Sequence, residues 1–342
     1  MKKCKPGFWA LAAVLALACL AAAQDGPDVT FKFKKIAVPK TEQTSIYGIN
    51  NSGAMVGYYM DKTGTIHGLL LLNGEVTNID DPNGVCCTEP INVSSNGTIV
   101  GNYGTFIEGN QAIASFVYQN GQFSDVGPTG CLNSAAAGIN DSGEIVGWCT
   151  DSSDVVHGYL QNSEGITFLD YPGANDFTLA WGINNAGLVT LQWIDSNGNY
   201  EGATYNSATQ EYSGPINVPG AAQTYIHSIN NENDIAFSWY DASGNSYGAL
   251  QIGATGDFCT FSDPHGPDYT RPDGINDSVD IVGRWEKTGG KYERGFEATI
   301  KKGTCGDLQL MGKGSATTGE AGVTKSSQRI QSPRSQRSLS AN

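Results

Sequence analysis

Five aromatic side chains recur at one position of an internal repeat: Tyr59, Tyr103, Trp193, Trp239 and Trp285, each nine residues beyond a repeated Asn or the Ser that replaces it. A ring face suits the apolar C–H face of a pyranose, and neighbouring acids or amides can bond its hydroxyls. One such platform per repeat would make a glycan-binding surface. Large rings also fill the wedge-shaped gaps between packed sheets, so a core role accounts for the same stripe. In the third repeat the position is Cys149. Folding the chain about the turn at Asp141 and Ser142 sets Cys149 near residue 134, a few residues from Cys131. That predicts a Cys131–Cys149 disulfide. Cys259 and Cys305 occupy matched positions in neighbouring repeats. A bridge there requires Cα atoms within about 7 Å. The pairing of Cys86 and Cys87 stays open.

Patterns for catalysis are sparse. The chain has no G-x-S-x-G elbow, no H-E-x-x-H helix and no phosphate-cradling loop between a strand and a helix. It has no C-x-x-C pair for a metal. His67 and His157 share a repeat position, which argues for a structural role. Acid pairs such as Asp80 and Asp81 are raw material for a glycosidase or lyase, but acids abound here and a pair at a loop tip is usually solvated. The segments Asp195-Ser-Asn-Gly-Asn199 and Asp241-Ala-Ser-Gly-Asn245 resemble calcium loops without the closing bidentate Glu, so they read as hairpin tips. No cofactor or metal is implied.

The elements that must position these residues come from the repeat itself. Gly48-Ile-Asn-Asn-Ser-Gly-Ala-Met-Val-Gly57, Asn92-Val-Ser-Ser-Asn-Gly-Thr-Ile-Val-Gly101 and Gly138-Ile-Asn-Asp-Ser-Gly-Glu-Ile-Val-Gly147 align without gaps. Further copies start at Gly182, Ser228 and Gly274, so the third position falls at Asn50, Ser94, Asn140, Asn184, Asn230 and Asn276, 44 or 46 residues apart. Each copy reads as a strand, a tight turn, an apolar strand, a polar loop, a third strand and a fourth strand ending in a Pro/Gly-rich loop. The turn needs a left-handed residue, supplied by Gly53, Gly97, Gly143, Gly187 or Asn233. Val279 stands there in the sixth copy, and a β-branched residue resists positive φ, so that turn is expected to differ. Four short strands per repeat of about 45 residues, six times over, predict an all-β fold: a six-bladed β-propeller of four-stranded blades. Fourth-strand sequences occur at both ends, Phe31 to Val38 and Thr304 to Leu310, and either could complete the last blade.

The pattern G-I-N-[ND]-x-G-x-I-V-G, followed by H-G-[LY]-L and [FT]-x-x-[IL]-D-x-P-G, resembles the bacterial extracellular HAF repeat. His157-Gly-Tyr-Leu160 stands where that family places its His-Ala-Phe signature. The resemblance covers residues 31–310 and implies a secreted or surface protein, with no activity attached. Thr190-Leu191 and Ala236-Phe237 replace Val-Gly in copies four and five, so blade geometry is expected to be less regular there.

The chain carries 34 acids against 20 Lys and Arg, a formal net charge of −14, with no Lys or Arg between Thr63 and Thr270. That balance repels nucleic-acid backbones and anionic membrane surfaces. Residues 1–23 have the layout of a signal peptide: Lys2, Lys3 and Lys5, an apolar run from Phe8 to Leu20, then Ala21 to Ala23. The run is shorter than the roughly 20 residues of a membrane span. A competing lipoprotein-type junction at Ala18-Cys19 fits its pattern poorly. An even set of cysteines in an exported chain suggests disulfides. The chain thus divides into a signal peptide (1–23), a propeller domain (24–310) and a disordered, basic Ser/Gly-rich tail (311–342). The expected role is a secreted or periplasmic, non-catalytic binding protein, with glycans or extracellular proteins as partners. The alternatives are a polysaccharide hydrolase or lyase on the same scaffold and a structural cell-surface component.

Overall fold

Each repeat folds as a four-stranded antiparallel sheet, and six of these sheets circle one axis as the blades of a β-propeller. The computed structural model describes residues 30–302 apart from 108 and 254. The segment 1–23, Cys305, the run Thr304 to Leu310 and the tail 311–342 lie outside the described residues. Blade one shows the plan: Gln43–Ile49, Met55–Met60, Ile66–Leu72 and Glu75–Asn78 are hydrogen-bonded in that order. The first strands of neighbouring blades touch one another all round the ring, which makes them the innermost. No helix of the described residues is long and apolar enough to cross a membrane.

Blade six joins the two ends of the domain. Its inner strands are Thr270–Ile275, Ile281–Glu286 and Glu293–Lys302, and its outer strand is Thr30–Ile36 from the start of the chain. Phe31 packs at a tilt on Phe261 at 4.5 Å, and Phe33 meets Phe296 edge-on at 5.7 Å, so closure buries aromatic surface against blades five and six.

The expected left-handed turns are present, with φ of 78° at Gly53 and 65° at Asn233. The expectation of a different turn in copy six is overturned: Val279 adopts φ 61° and donates its N–H to the Asn276 carbonyl, as Gly53 does to Asn50. The Val279 side chain packs against the cluster of Ile275, Ile281 and Phe296, and that burial offsets the backbone cost. The glycine that opens the repeat answers a close approach. A Cβ on Gly48 would lie 2.6 Å from the Ile91 carbonyl oxygen of the next blade, and one on Gly138 would lie 2.7 Å from that of Trp181. One residue before this point every inner strand bulges, at Tyr47, Ile91, Ala137, Trp181, His227 and Asp273.

The departures in copies four and five leave the inner three strands of those blades paired as in the others, while blade four is less regular at its outer strand, where the register shifts between Gly202 and Thr204. Where the second strand carries Gly, the residue paired with it on the third strand is large: Gly57 with Leu69, Gly101 with Phe116, Gly147 with Tyr159, Gly283 with Phe296. In blades four and five the sizes are exchanged, Leu191 facing Ala203 and Phe237 facing Ala249. All four of these residues are fully buried. Volume is conserved across the pair, which a close-packed interior requires.

Candidate functional site

The five recurrent aromatics lie on the second strand of their blades, near its end except for Tyr103, which is mid-strand in Ile99–Ile107, each opposite a buried Thr of the first strand: Thr44, Thr88, Thr178, Thr224 and Thr270. Tyr103 and Trp285 are buried, whereas Tyr59, Trp193 and Trp239 are half-buried. All five pack against apolar clusters in the body of the propeller. The half-buried three also carry a second ring. Trp193 stacks on Tyr171 at 4.4 Å and 23°, Trp239 lies on Tyr247 at 4.8 Å, and Tyr59 stacks on His67 at 5.1 Å.

Polar groups accompany each pair. Tyr59 donates its hydroxyl to Asn78 Oδ1 at 3.0 Å, and His67 Nδ1 sits 2.9 Å from Asp80 Oδ2. Trp193 pairs across strands with Glu201, which accepts from the Asn217 amide. Tyr247 donates to Asp241 Oδ2 at 3.2 Å. The sixth position, Cys149, is bonded to Cys131 as expected, with Cα atoms 5.6 Å apart, and Ser134 is its partner across the sheet. Cys259 is also disulfide-bonded.

The loops with calcium-like spelling are hairpin tips. Asp195 Oδ1 accepts the N–H groups of Asn197 and Asn199, and Asp241 Oδ1 those of Ser243 and Asn245. Asp80 and Asp81 do not act as a pair: Asp80 Oδ1 accepts the Gly68 N–H, while Asp81 Oδ1 caps the Asn83 N–H.

At one end of the axis the repeat Asn residues build a ring. Each Asn Oδ1 accepts N–H groups of its own turn, as Asn50 does from Ser52 and Ala54, both at 3.0 Å. Its Nδ2 reaches the next blade. Asn50 donates to the Ser94 carbonyl, Asn140 to Asn184, Asn184 to Asn230, Asn230 to Asn276 and Asn276 back to Asn50, at 2.9–3.4 Å. The local half of this arrangement follows from turn chemistry. The half that staples blades was not visible in the sequence. Ser94 is too short to continue the ring, and its hydroxyl bonds within its own turn. A second ring lies outside the first, in which Asp141 accepts from the Ser95 N–H at 2.8 Å and Asn185 Nδ2 at 2.8 Å.

Sequence reasoning missed a buried charged cluster in blade six. Arg271 and Arg284 face each other across blade six and are 6% and 9% exposed. Asp273 lies between them, 3.2 Å from Arg271 Nε and 3.3 Å from Arg284 Nε. Arg284 also donates to the Tyr47 hydroxyl at 2.8 Å, stands over the Tyr47 ring, and lies 3.6 Å from Glu293. Glu293 accepts from Ser45 and Tyr269 in turn. Burial works against the charge on Arg284, but Asp273 and Glu293 outweigh it and hold its pKa well above the ordinary value. Burial pushes the Glu89 carboxyl up to about 7, against the pull of Arg284. Burial also pushes the His227 imidazole well below its usual range. The available signal was the first pair of arginines after a long stretch without any, placed where the other five blades carry uncharged residues or, in blade two, Glu89.

No family model and no curated protein matches the chain. Its fold is similar to that of the putative TolB from Agrobacterium tumefaciens, with TM-score 0.52 and 11% identity over 80% of this chain and 99% of that one. It is also similar to TolB from Acinetobacter baumannii, with TM-score 0.50 and 12% identity over 74% of this chain and 65% of that one. The chain therefore spans just under two thirds of that TolB. A third similar structure is SapL1 lectin in complex with alpha methyl fucoside, with TM-score 0.50 and 11% identity over 77% of this chain and 97% of that one. At such identity the likeness is one of fold, and it places the chain in the class of β-propellers.

Proposed function

We propose that the protein is an exported, non-catalytic binding propeller whose ligands are neutral glycans. The observation that supports this reading is a repeated one. In blades one, four and five a half-buried aromatic packs on a second ring beside carboxylate or amide groups, stacked at Tyr59/His67 and Trp193/Tyr171 and tilted at Trp239/Tyr247. Such a site offers an apolar ring edge and hydrogen-bond acceptors together, which is what a sugar presents in complement. The acidic net charge favours uncharged sugars over anionic ones. SapL1, a propeller lectin of similar fold, was solved with a fucoside bound, which adds weight to the class of ligand.

The test is a glycan-array screen of residues 24–310, repeated with Trp193→Ala and Trp239→Ala. Saturable binding that falls about five- to tenfold in folded variants supports the reading, since one stacking ring contributes on the order of 1–1.5 kcal/mol. Absence of binding to every glycan, by protein with an intact fold, overturns it. Export is checked separately, by whether the mature protein isolated from outside the cytoplasm starts at Gln24.

A second reading, a polysaccharide-cleaving enzyme, is favoured by one specific observation: Glu89, poised near neutrality, shares the environment of Glu293 and Arg284. Release of new sugar ends from soluble polysaccharides, abolished by Glu89→Gln, would establish it in place of the first.

A further inference from the structure

Cys86 and Cys87 lie in the connection between blades one and two, with Sγ atoms 2.8 Å apart, inside the contact distance of two non-bonded sulfurs. The backbone on either side is pinned to one residue of the second strand of blade two. Val85 donates its N–H to the Gly104 carbonyl at 2.8 Å, and Gly104 donates to the Cys87 carbonyl at 3.0 Å. The chain therefore bulges at Cys86 between two held neighbours. Cys86 is exposed and Cys87 is half-buried. Val85 and Phe106, near the two ends of this pairing, are 53% and 54% exposed, so the connection stands open to solvent.

We propose that Cys86 and Cys87 form a thiol–disulfide exchange site that closes to a vicinal disulfide, with Cys86 Sγ as the atom that meets the external reagent. The reagent is a small disulfide, such as glutathione disulfide, or an oxidised dithiol protein. The Cys86 thiolate attacks one sulfur of the external disulfide, forms a mixed disulfide and releases one external thiolate. Cys87 then gives its proton to solvent and attacks Cys86 Sγ, forming the intramolecular S–S bond and releasing the second thiolate. Two protein thiols lose two electrons in all, one external disulfide gains them, and the two protons balance the two thiolates released.

The order of attack follows from exposure. Burial, the neighbouring Cys86 and Glu89 all push the Cys87 thiol up, so Cys86 supplies the first nucleophile and Cys87 resolves the adduct. Lability follows from geometry. Consecutive Cα atoms are about 3.8 Å apart, short of the roughly 4.4–6.8 Å that an unstrained disulfide spans. Cys131 and Cys149, with Cα atoms 5.6 Å apart, fall inside that window, and Cys149 is 3% exposed. An exposed, strained bond is the first to be reduced.

The experiment equilibrates the full chain in glutathione buffers of graded ratio, quenches with an alkylating agent, and maps the peptides by mass. The expected result is a linked Cys86–Cys87 pair under oxidising ratios. That pair opens at a reducing ratio at least about tenfold milder than the one needed to open Cys131–Cys149. In Cys87→Ser, glutathione accumulates on Cys86. In Cys86→Ser, Cys87 gains no adduct over the same time. Alkylation of both Cys86 and Cys87 at every ratio overturns the proposal, whatever the variants do. Equal adduct formation in the two variants overturns the assignment of Cys86 as the attacked atom.

Discussion

Replacing Asn184 by Ala asks whether the amide ring at the axis holds the blades together. Asn184 is 3% exposed. Its Oδ1 accepts the N–H groups of Ala186 at 3.1 Å and Leu188 at 3.0 Å, while its Nδ2 donates to the Asn230 carbonyl at 3.1 Å and Asn233 Oδ1 at 2.8 Å. Ala deletes all four bonds. At about 1 kcal/mol each, with water able to replace the bond to Ala186, the loss is roughly 3 kcal/mol. The second blade supplies an internal control, because Ser94 accepts the Thr98 N–H at 3.1 Å, the equivalent of Leu188, and stays within its own turn. Asn184→Ser should therefore keep about one bond and cost roughly 2 kcal/mol. The converse change, Ser94→Asn, would aim a donor at the Asn140 carbonyl and complete the ring. It should stabilise by about 1 kcal/mol, or about 2 °C in Tm for a domain of this size. Urea unfolding is the assay, read as a shift in midpoint at constant slope. A cost under about 1 kcal/mol for Asn184→Ala, or a folded Ser94→Asn protein that is less stable than the parent, would refute the view that cross-blade amide bonds contribute net stability.

Three other changes probe the rest of the molecule. Arg284→Met leaves Glu293 without its cation and Asp273 with Arg271 alone, and should cost about 3 kcal/mol by the same unfolding assay. Glu89 titrates at about 7 in the fold against 4.5 when unfolded. Its folded pKa is raised, so its contribution is most favourable below pH 4.5 and is lost as pH rises through 7. The stability of Glu89→Gln relative to the parent should therefore increase by on the order of 3 kcal/mol between about pH 4.5 and pH 8, measured by unfolding at each pH. Opening the Cys131–Cys149 bridge, by the double change to Ser, frees a loop with a sequence separation of 18 and should cost about 3 kcal/mol, seen as a lower Tm.

How much of this was legible in the sequence follows from the range over which each feature is encoded. Blade number, strands per blade and the Cys131–Cys149 bridge are repeated or local, and a period with hairpin signals is enough to read them. Closure by Thr30–Ile36 is a choice between two similar strands, and only packing of Phe31 and Phe33 against Phe261 and Phe296 separates them. The Asn ring was half legible, since an amide beside a turn announces its local bonds but not the carbonyl it meets in the next blade. Val279 misled because backbone preference was weighed without burial. The replacement of Val-Gly in copies four and five leaves the packing of the second and third strands intact for a related reason. Taken one position at a time, Leu191 and Phe237 look like lost glycines. Taken with Ala203 and Ala249 they are the same packing with the large residue on the other strand. The information was present in the chain, but it resides in pairs of positions twelve residues apart. The arginine pair of blade six obeys the same rule: Arg271 and Arg284 are unremarked singly, and only their cross-strand register, with Asp273 between them, turns two charges into one buried network that ties blade six to blade one. A repeat thus specifies its fold through what its copies share, and individual sites through the paired departures of one copy from the rest.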